Sequence, residues 1–311
     1  MTGATRLFNV DTVMIDVVMM IDELPLRGGD ALSSDRVLSA GGGFNVMSAA
    51  ARHGMEVIYA GQLGVGPFSD IARAALEGEH VATPIVPDGS SDVGFCVVLV
   101  DRDGERTFVT SPGAEKRLRL SSLTALDVQP GDYVFLSGYS VVYPEIGAAV
   151  TEWLATLPDA VVVAFDPAPR VLDIPPDVVE RVLARTDWLL CNATEALQLS
   201  GDGTLESALV TLDARSGRLG IVIHNAHDGC MVLTHQVAAT RIPAFTTTVL
   251  DTNGAGDTHD GVFLAELALG TSILEAALRA NAAAALAISR FGPATCPTRD
   301  EVTAWLASEM Y

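Results

Sequence analysis

A single lysine, Lys116, stands in a chain of 311 residues. That scarcity excludes the G-x-x-x-x-G-K-[ST] phosphate loop, whose lysine reaches the phosphates of a bound nucleotide. It also belongs to a wider shortage of positive charge: 19 Lys and Arg stand against 39 Asp and Glu, a net charge of −20. So acidic a chain is expected to be soluble and to bind neither nucleic acid nor an anionic membrane surface. An anionic nucleotide is still an admissible ligand, provided one site is made locally positive by backbone N–H groups or a metal.

Cysteine is scarce too. Cys96, Cys191, Cys230 and Cys296 lie far apart with no paired metal spacing, which reads as buried thiols in a reducing compartment. No basic segment followed by an apolar one opens the chain. The early run "VMIDVVMMID" is too short to span a bilayer and carries Asp16 and Asp22. A cytoplasmic enzyme is the expectation. Also missing are a G-x-G-x-x-G after a strand, a G-x-S-x-G and an H-E-x-x-H. His224 and His227 are spaced i, i+3, with His235 beyond, but no carboxylate or cysteine set accompanies them. They read as polar residues of a turn or cleft rather than as a metal site.

What is present is apolar. Hydrophobic residues make up 49% of the chain, enough to bury a sizeable core. Runs such as "DYVFLSG", "AVVVAFD", "DWLLC" and "LGIVIH" read as strands, with helical stretches such as "EIGAAVTEWLATL" and "DVVERVLART" between them. The alternation predicts an α/β fold, a mostly parallel sheet covered by helices on both faces. Two segments break the rhythm. "VMIDVVMMIDELP" and "GFCVVLVDRDGERTFVTSPGA" read as strands, the second as a hairpin around "DRDGE". They suggest a small β lid added to the α/β body.

Two glycine clusters carry chemistry. In "DTNGAGDTHDGVFLAEL" the glycines precede an apolar helix, so the N–H groups of Gly254, Ala255 and Gly256 fall at a helix start. Free N–H groups and the positive end of the helix dipole make an anion hole there. Asp257, held ionised by the same field, is placed to accept a proton from a hydroxyl, as phosphoryl transfer to an alcohol requires. The competing reading is that Asp257 is an N-cap and the glycines make a turn. In "SAGGGFNVMSAAARHG", Gly41, Gly42 and Gly43 would let a polyhydroxylated ligand lie against backbone, and the Asn45 amide can both donate and accept. Here too a loop with a helix cap is the alternative.

Together the clusters resemble the ribokinase-like (PfkB) carbohydrate kinases, a family that includes nucleoside kinases. "DTNGAGD" matches its D-T-x-G-A-G-D signature at every fixed position, and the resemblance runs in order along the whole chain. It includes "MIDVVMMIDELP", "GGGFN", the lid-like "GERTFVTSPGA", "LSGYS", "DPAPR", "NATEALQLSG" with its N-x-x-E motif, and the closing "ANAAAALAISRFGPATCPTRDEV".

The resemblance implies one ribokinase-like domain over residues 1–311, with lid strands at about 14–41 and 94–113. It implies ATP with its phosphates at Gly254–Gly256, Asp257 as base, and Asp16, Gly42, Gly43 and Asn45 on the sugar hydroxyls. Asn192, His224, Gly229 and Asn281 would lie at the nucleotide, and Glu195 would organise Mg²⁺ through water. Asp251, with Asn253 and Gly292, would supply a K⁺ loop. Cys296 stands there in place of an oxygen ligand, and sulfur suits a hard cation poorly, so K⁺ dependence is expected to be weak or absent. A homodimer through the lid strands is also implied.

The chain departs from the family pattern at Ala40, Phe44 and Asp11, in the turn "HNAHDG", and at His259, where phenylalanine is common. None of these touches Asp257 or its anion hole. The expectation is therefore an ATP-dependent kinase acting on a hydroxyl, a primary one by preference, of a sugar or sugar-like substrate. The rivals are a nucleoside kinase of the same family and a catalytically silent sugar or nucleotide sensor on the same fold.

Overall fold

The computed structural model describes residues 5–215, 218–292 and 294–309. Its larger sheet is built from β1 (Arg6–Asn9), β4 (Glu56–Tyr59), β7 (Tyr133–Ser137), β8 (Val162–Asp166) and β9 (Trp188–Asn192). It continues through β10 (Gly220–His224), β11 (Cys230–Thr234) and β12 (Thr240–Ile242), in the order β12-β11-β10-β9-β8-β7-β1-β4. All pairs are parallel except β10–β11 and β11–β12. The strands are short and apolar because both faces are buried. Val134 and Leu136 point into one core cluster and Phe135 into the other, each fully buried.

The two segments outside the α/β rhythm form a second sheet, as the sequence suggests. β2 (Val13–Met20), β3 (Asp35–Gly42), β5 (Phe95–Val100) and β6 (Arg106–Ser111) pair in the order β3-β2-β5-β6. Pairing register sorts its side chains by face. Ser39, Asp16, Cys96 and Thr110 lie side by side, a polar row. The row on the opposite face is Leu38, Val17, Val97 and Val109, all apolar. Among the described residues no helix is long and apolar enough to cross a membrane.

The chain runs from β1 to β4 on one side and to β7 on the other, so the strand order reverses at β1. A crevice forms outside the carboxyl ends of the strands at such a point. The residues ending the strands are polar: Asn9, Ser137, Asp166, Asn192 and His224. Two helices lean over this edge, Gly43–Arg52 and Ala255–Ala268. They approach closely at Gly261, where a Cβ would lie 2.4 Å from the Val46 carbonyl oxygen.

Asp11 connects β1 to the second sheet from a buried position. Its Oδ1 accepts from Ser137 Oγ at 2.6 Å and from the Thr12 N–H at 2.6 Å. Burial pushes its carboxyl up to about 7 despite the Ser137 hydrogen bond. An unfolded aspartate titrates near 3.9, at about 1.4 kcal/mol per pKa unit. Between those values the native protein holds a proton that the unfolded chain has lost. Stability from this group is therefore fully present below about pH 4 and is lost as pH rises through about 7. Asp11→Asn stays neutral and can still accept from Ser137. Its unfolding free energy, from denaturant titration, should match the wild type's near pH 4 and exceed it near pH 8 by at most about 4 kcal/mol. Parallel pH profiles for the two proteins would show that Asp11 titrates as an ordinary carboxylate.

Candidate active site

Gly254 starts the 255–268 helix in the left-handed region, at φ 72°, and no side chain caps it. A residue with a Cβ adopts that conformation at a cost. The N-cap is thus Gly254, and Asp257 lies in the first turn with its side chain free of capping. Asp257 Oδ2 instead accepts from Asn45 Nδ2 at 2.9 Å, across 212 residues of chain. The other end of the Asn45 amide, Oδ1, accepts from the Ala294 N–H at 3.2 Å. Both ends being engaged, the amide is fixed with its NH₂ toward Asp257. Of the expected anion-hole amides, that of Ala255 makes a long 3.4 Å bond to the Thr252 carbonyl.

The helix dipole was expected to hold Asp257 ionised, but burial raises its pKa, with the Asn45 bond and His224 opposing. An acceptor nearer neutrality is a stronger base than an ordinary aspartate. Asp16, on the polar row of the second sheet, is pushed up to about 6 by burial and then by Asp257.

Packing within the protein itself also requires the glycines of "GGGFN". A Cβ on Gly41 would lie 2.3 Å from Asp16 Oδ2, and one on Gly42 2.6 Å from the Thr12 carbonyl. One on Gly43 would meet the Asp11 Cβ at 2.7 Å. They make room for the protein's own Asp11–Asp16 segment, and so place Asp16 and Asn45 together at the cleft.

On the other side of Asp257 lies a cavity of about 550 Å³, lined among others by His224, Gly229, Phe245, Gly256, His259 and Asn281. Its size suits a small organic ligand. Asn281 Nδ2 donates to the Ile242 and Pro243 carbonyls, 3.1 Å each, and so holds the cavity wall. His224 is kept neutral, its pKa lowered to about 4 by burial. Asn192 does not line this cavity. It caps the Ala193–Ser200 helix in a reciprocal box, accepting from the Glu195 N–H at 2.9 Å while Glu195 Oε2 accepts from the Asn192 N–H at 2.8 Å. The N-x-x-E spacing is thus at least a capping box.

Glu195 and Asp166 both have raised pKa values, from burial first; the other site acids raise them further. Among the described residues no lysine or arginine pairs with Asp16, Asp166, Glu195 or Asp257. Unpaired acids of this kind fit a hard divalent cation.

Asp251 is differently placed. It pairs with Arg106 of β6 through Oδ1, which also accepts from the Asn253 N–H at 2.8 Å. Its Oδ2 takes the Gly292 N–H at 3.3 Å. Gly292 and Asn253 are therefore beside Asp251 as expected, but they donate to its carboxylate. The Cys296 carbonyl accepts from Arg52 Nη1 at 2.6 Å.

Sequence reasoning passed over Arg106, Asp166 and Asp260 as site residues. Asp166 stood in the quoted "DPAPR" and Arg106 in "GERTF", while the only hint of Asp260 was its place after His259.

The model of the pfkB family carbohydrate kinases matches residues 4–300. An uncharacterized sugar kinase of Escherichia coli K12, YegV, is 32% identical, with 94% of this chain and 91% of that one covered. An ATP-dependent ribose-1-phosphate kinase of Halopiger xanaduensis is 30% identical over 97% of this chain and 98% of its own. The solved ribokinase of Thermotoga maritima superimposes with a TM-score of 0.84 at 23% identity, covering 97% and 99% of the two chains. The matches to the family model and to both kinases extend over more than nine-tenths of the chain, and they include the segments that bring Asn45 to Asp257. The chain belongs to the pfkB family of carbohydrate kinases.

Proposed function

We propose that the protein transfers a phosphoryl group from ATP to a hydroxyl, by preference a primary one, of a sugar or sugar-like substrate. The observation that carries this reading is the position of Asp257. It stands in the first turn of a helix, held by Asn45, between the cavity at Gly256 and the polar row containing Asp16. The ATP dependence named for the Halopiger relative supports the donor.

In this reading the whole chain acts as one kinase domain, with the smaller sheet as lid. Asp16, Asn45 and the 42–43 backbone hold the substrate hydroxyls, and Ser39, Cys96 and Thr110 extend the same surface. Asp257 accepts the proton of the attacking hydroxyl. The N–H groups of Gly254 and Gly256, with that of Ala255 in competition with Thr252, face charge developing on the phosphoryl oxygens. His224, Gly229 and Asn281 bound the nucleotide. Glu195 and Asp166 would hold Mg²⁺, which would supply neutralisation of phosphate charge. A silent sensor would have no need of the base, and this chain retains it together with its positioning amide.

ADP release should be measured across pentoses, hexoses, sugar phosphates, sugar acids and nucleosides. With the substrate so found, Asp257→Asn should lower kcat by roughly 10²–10⁴-fold, the range for a positioned acid–base group. Substrate Kd and Tm should move little. Full activity in the folded variant would remove the base from this mechanism.

Monovalent cations should matter little, because the Asp251 carboxylate is already engaged by Arg106, Asn253 and Gly292. Replacing Na⁺ by K⁺ should leave kcat within about twofold on the argument that a saturated, hydrogen-bonded carboxylate gains little from a further cation. A tenfold rise would overturn this.

The apolar row Leu38, Val17, Val97 and Val109, exposed at both ends while Val17 packs partly on the core, supports a homodimer through the lids. Leu38 is 44% exposed and Val109 61%. Sedimentation should show a dimer that Val109→Asp dissociates. A wild-type monomer at working concentrations would sink the idea.

A further inference from the structure

His224, at the end of β10, faces two residues of the 255–268 helix, His259 and Asp260. Each offers one ligand atom, and the three atoms lie within 4.8 Å of one another. Among the described residues this is the one such group of three. His224 Nε2 stands 3.0 Å from Asp260 Oδ1, yet the approach lacks hydrogen-bond alignment. Asp260 is fully buried with neither oxygen hydrogen-bonded, and both ring nitrogens of His259, 3% exposed, are without a partner of standard geometry. The Asn281 amide nitrogen donates to the Ile242 and Pro243 carbonyls, so only its oxygen is turned toward His259, short of standard hydrogen-bond geometry. Buried polar groups are ordinarily satisfied, so three such side chains converging on one point call for a common partner.

The geometry points to a transition-metal site of the Zn²⁺ type, with one nitrogen each from His224 and His259 and one oxygen of Asp260 as ligands. Two imidazoles and a carboxylate form a donor set that prefers Zn²⁺ or Co²⁺ to Mg²⁺, which takes oxygen ligands. Bonds of about 2.0–2.1 Å to a tetrahedral ion place ligand atoms roughly 3.3 Å apart. The His224–Asp260 separation is already in that range, and the His259 ring need shift only by about an ångström. Burial lowers the pKa of both imidazoles, which keeps them in the neutral, ligating form. His224 and His259 both line the 550 Å³ cavity, so a fourth position opens on it for water or a donor atom of a bound nucleotide. The site does not depend on the phosphotransfer reading.

The test uses the full-length protein, stripped with a chelator and titrated with Zn²⁺ in equilibrium dialysis and with Co²⁺ in visible spectroscopy. One ion per chain should bind, with Mg²⁺ in large excess failing to displace it. Co²⁺ should give the intense bands of a four- or five-coordinate ion. Asp260→Asn and His259→Phe should weaken binding by about 100-fold or more, since each removes a direct ligand and even outer partners of a site are worth 10–100-fold. The phenylalanine meets an aromatic neighbour, Phe263, 6.3 Å from the His259 ring. His227→Ala should leave binding unchanged, because His227 lines the same cavity but is 93% exposed. Should the ligand variants fail to fold, the wild-type protein decides through its Co²⁺ spectrum and the paramagnetically shifted signals of two imidazoles. Absence of binding, the weak spectrum of octahedral Co²⁺, ready displacement by Mg²⁺, or undiminished binding in the two folded ligand variants would each overturn the assignment.

Discussion

The close crossing of the 43–52 and 255–268 helices is the constraint on which the site depends. Gly261 lets the backbones meet, with no room for a Cβ beside the Val46 carbonyl. That contact brings Asn45 within hydrogen-bonding distance of Asp257. A hydrogen bond to a charged group is worth about 1.5–3 kcal/mol, but position is its larger contribution here. The same 43–52 helix also grips the closing segment, since Asn45 Oδ1 takes the Ala294 N–H and Arg52 donates to the Ala294 and Cys296 carbonyls. One short helix thus fixes both the Asp257 carboxylate and the closing segment behind it.

The 255–268 helix carries two kinds of buried acid, and the difference separates structure from function. Near its end Glu266, fully buried, is met by His53, Arg279 and Arg299 and accepts from Thr271. Those partners hold its pKa well below the usual carboxylate range against the cost of burial. At its start Asp257 and Asp260 have no arginine or lysine, and burial raises both, as it raises Asp11, Asp16, Asp166 and Glu195. The nearest arginine, Arg106, is taken up by Asp251 rather than by these acids. The concentrated negative charge destabilises the empty fold, and cations or donors brought by ligands relieve it, so binding and stability are coupled.

How much of this was legible in the sequence depends on the range of the cause. "DTNGAGD" was legible because a glycine at a helix start and an acid in the next turn are local chemistry. The N-x-x-E motif was legible as a motif, and its capping-box geometry follows from spacing alone. The parallel sheet followed from apolar runs, and the second sheet from the break in rhythm. The glycines of "GGGFN" were found, but the internal packing that also requires them was not, because the Asp16 side chain that presses on Gly41 arrives from another strand. Arg106 and Asp260 were missed for the same reason. Their partners, Asp251 and His224, lie 145 and 36 residues away along the chain, where no periodicity points. His227 drew attention through its i, i+3 spacing from His224, yet it is exposed, while the ring packed 4.3 Å from His224 belongs to His259.

Strand alternation explains how a sheet of four short strands takes part on both sides. Asp16 and Arg106 lie on the same face of the sheet, since β2 and β5, and β5 and β6, pair in register. Asp16 lies close enough to Asp257 to feel its charge, and Arg106 reaches Asp251, three residues before the N-cap Gly254. The sheet is therefore tied to the loop that leads into the anion hole. A displacement of β6 must either break this pair, with Asp251 only 8% exposed, or drag the loop with it. Breaking it would leave a carboxylate buried with two backbone N–H groups and no cation, the costlier outcome. The position of the smaller sheet and the geometry of the 251–254 loop are consequently one mechanical variable, and the arginine that links them comes from a hairpin whose opposite face is apolar.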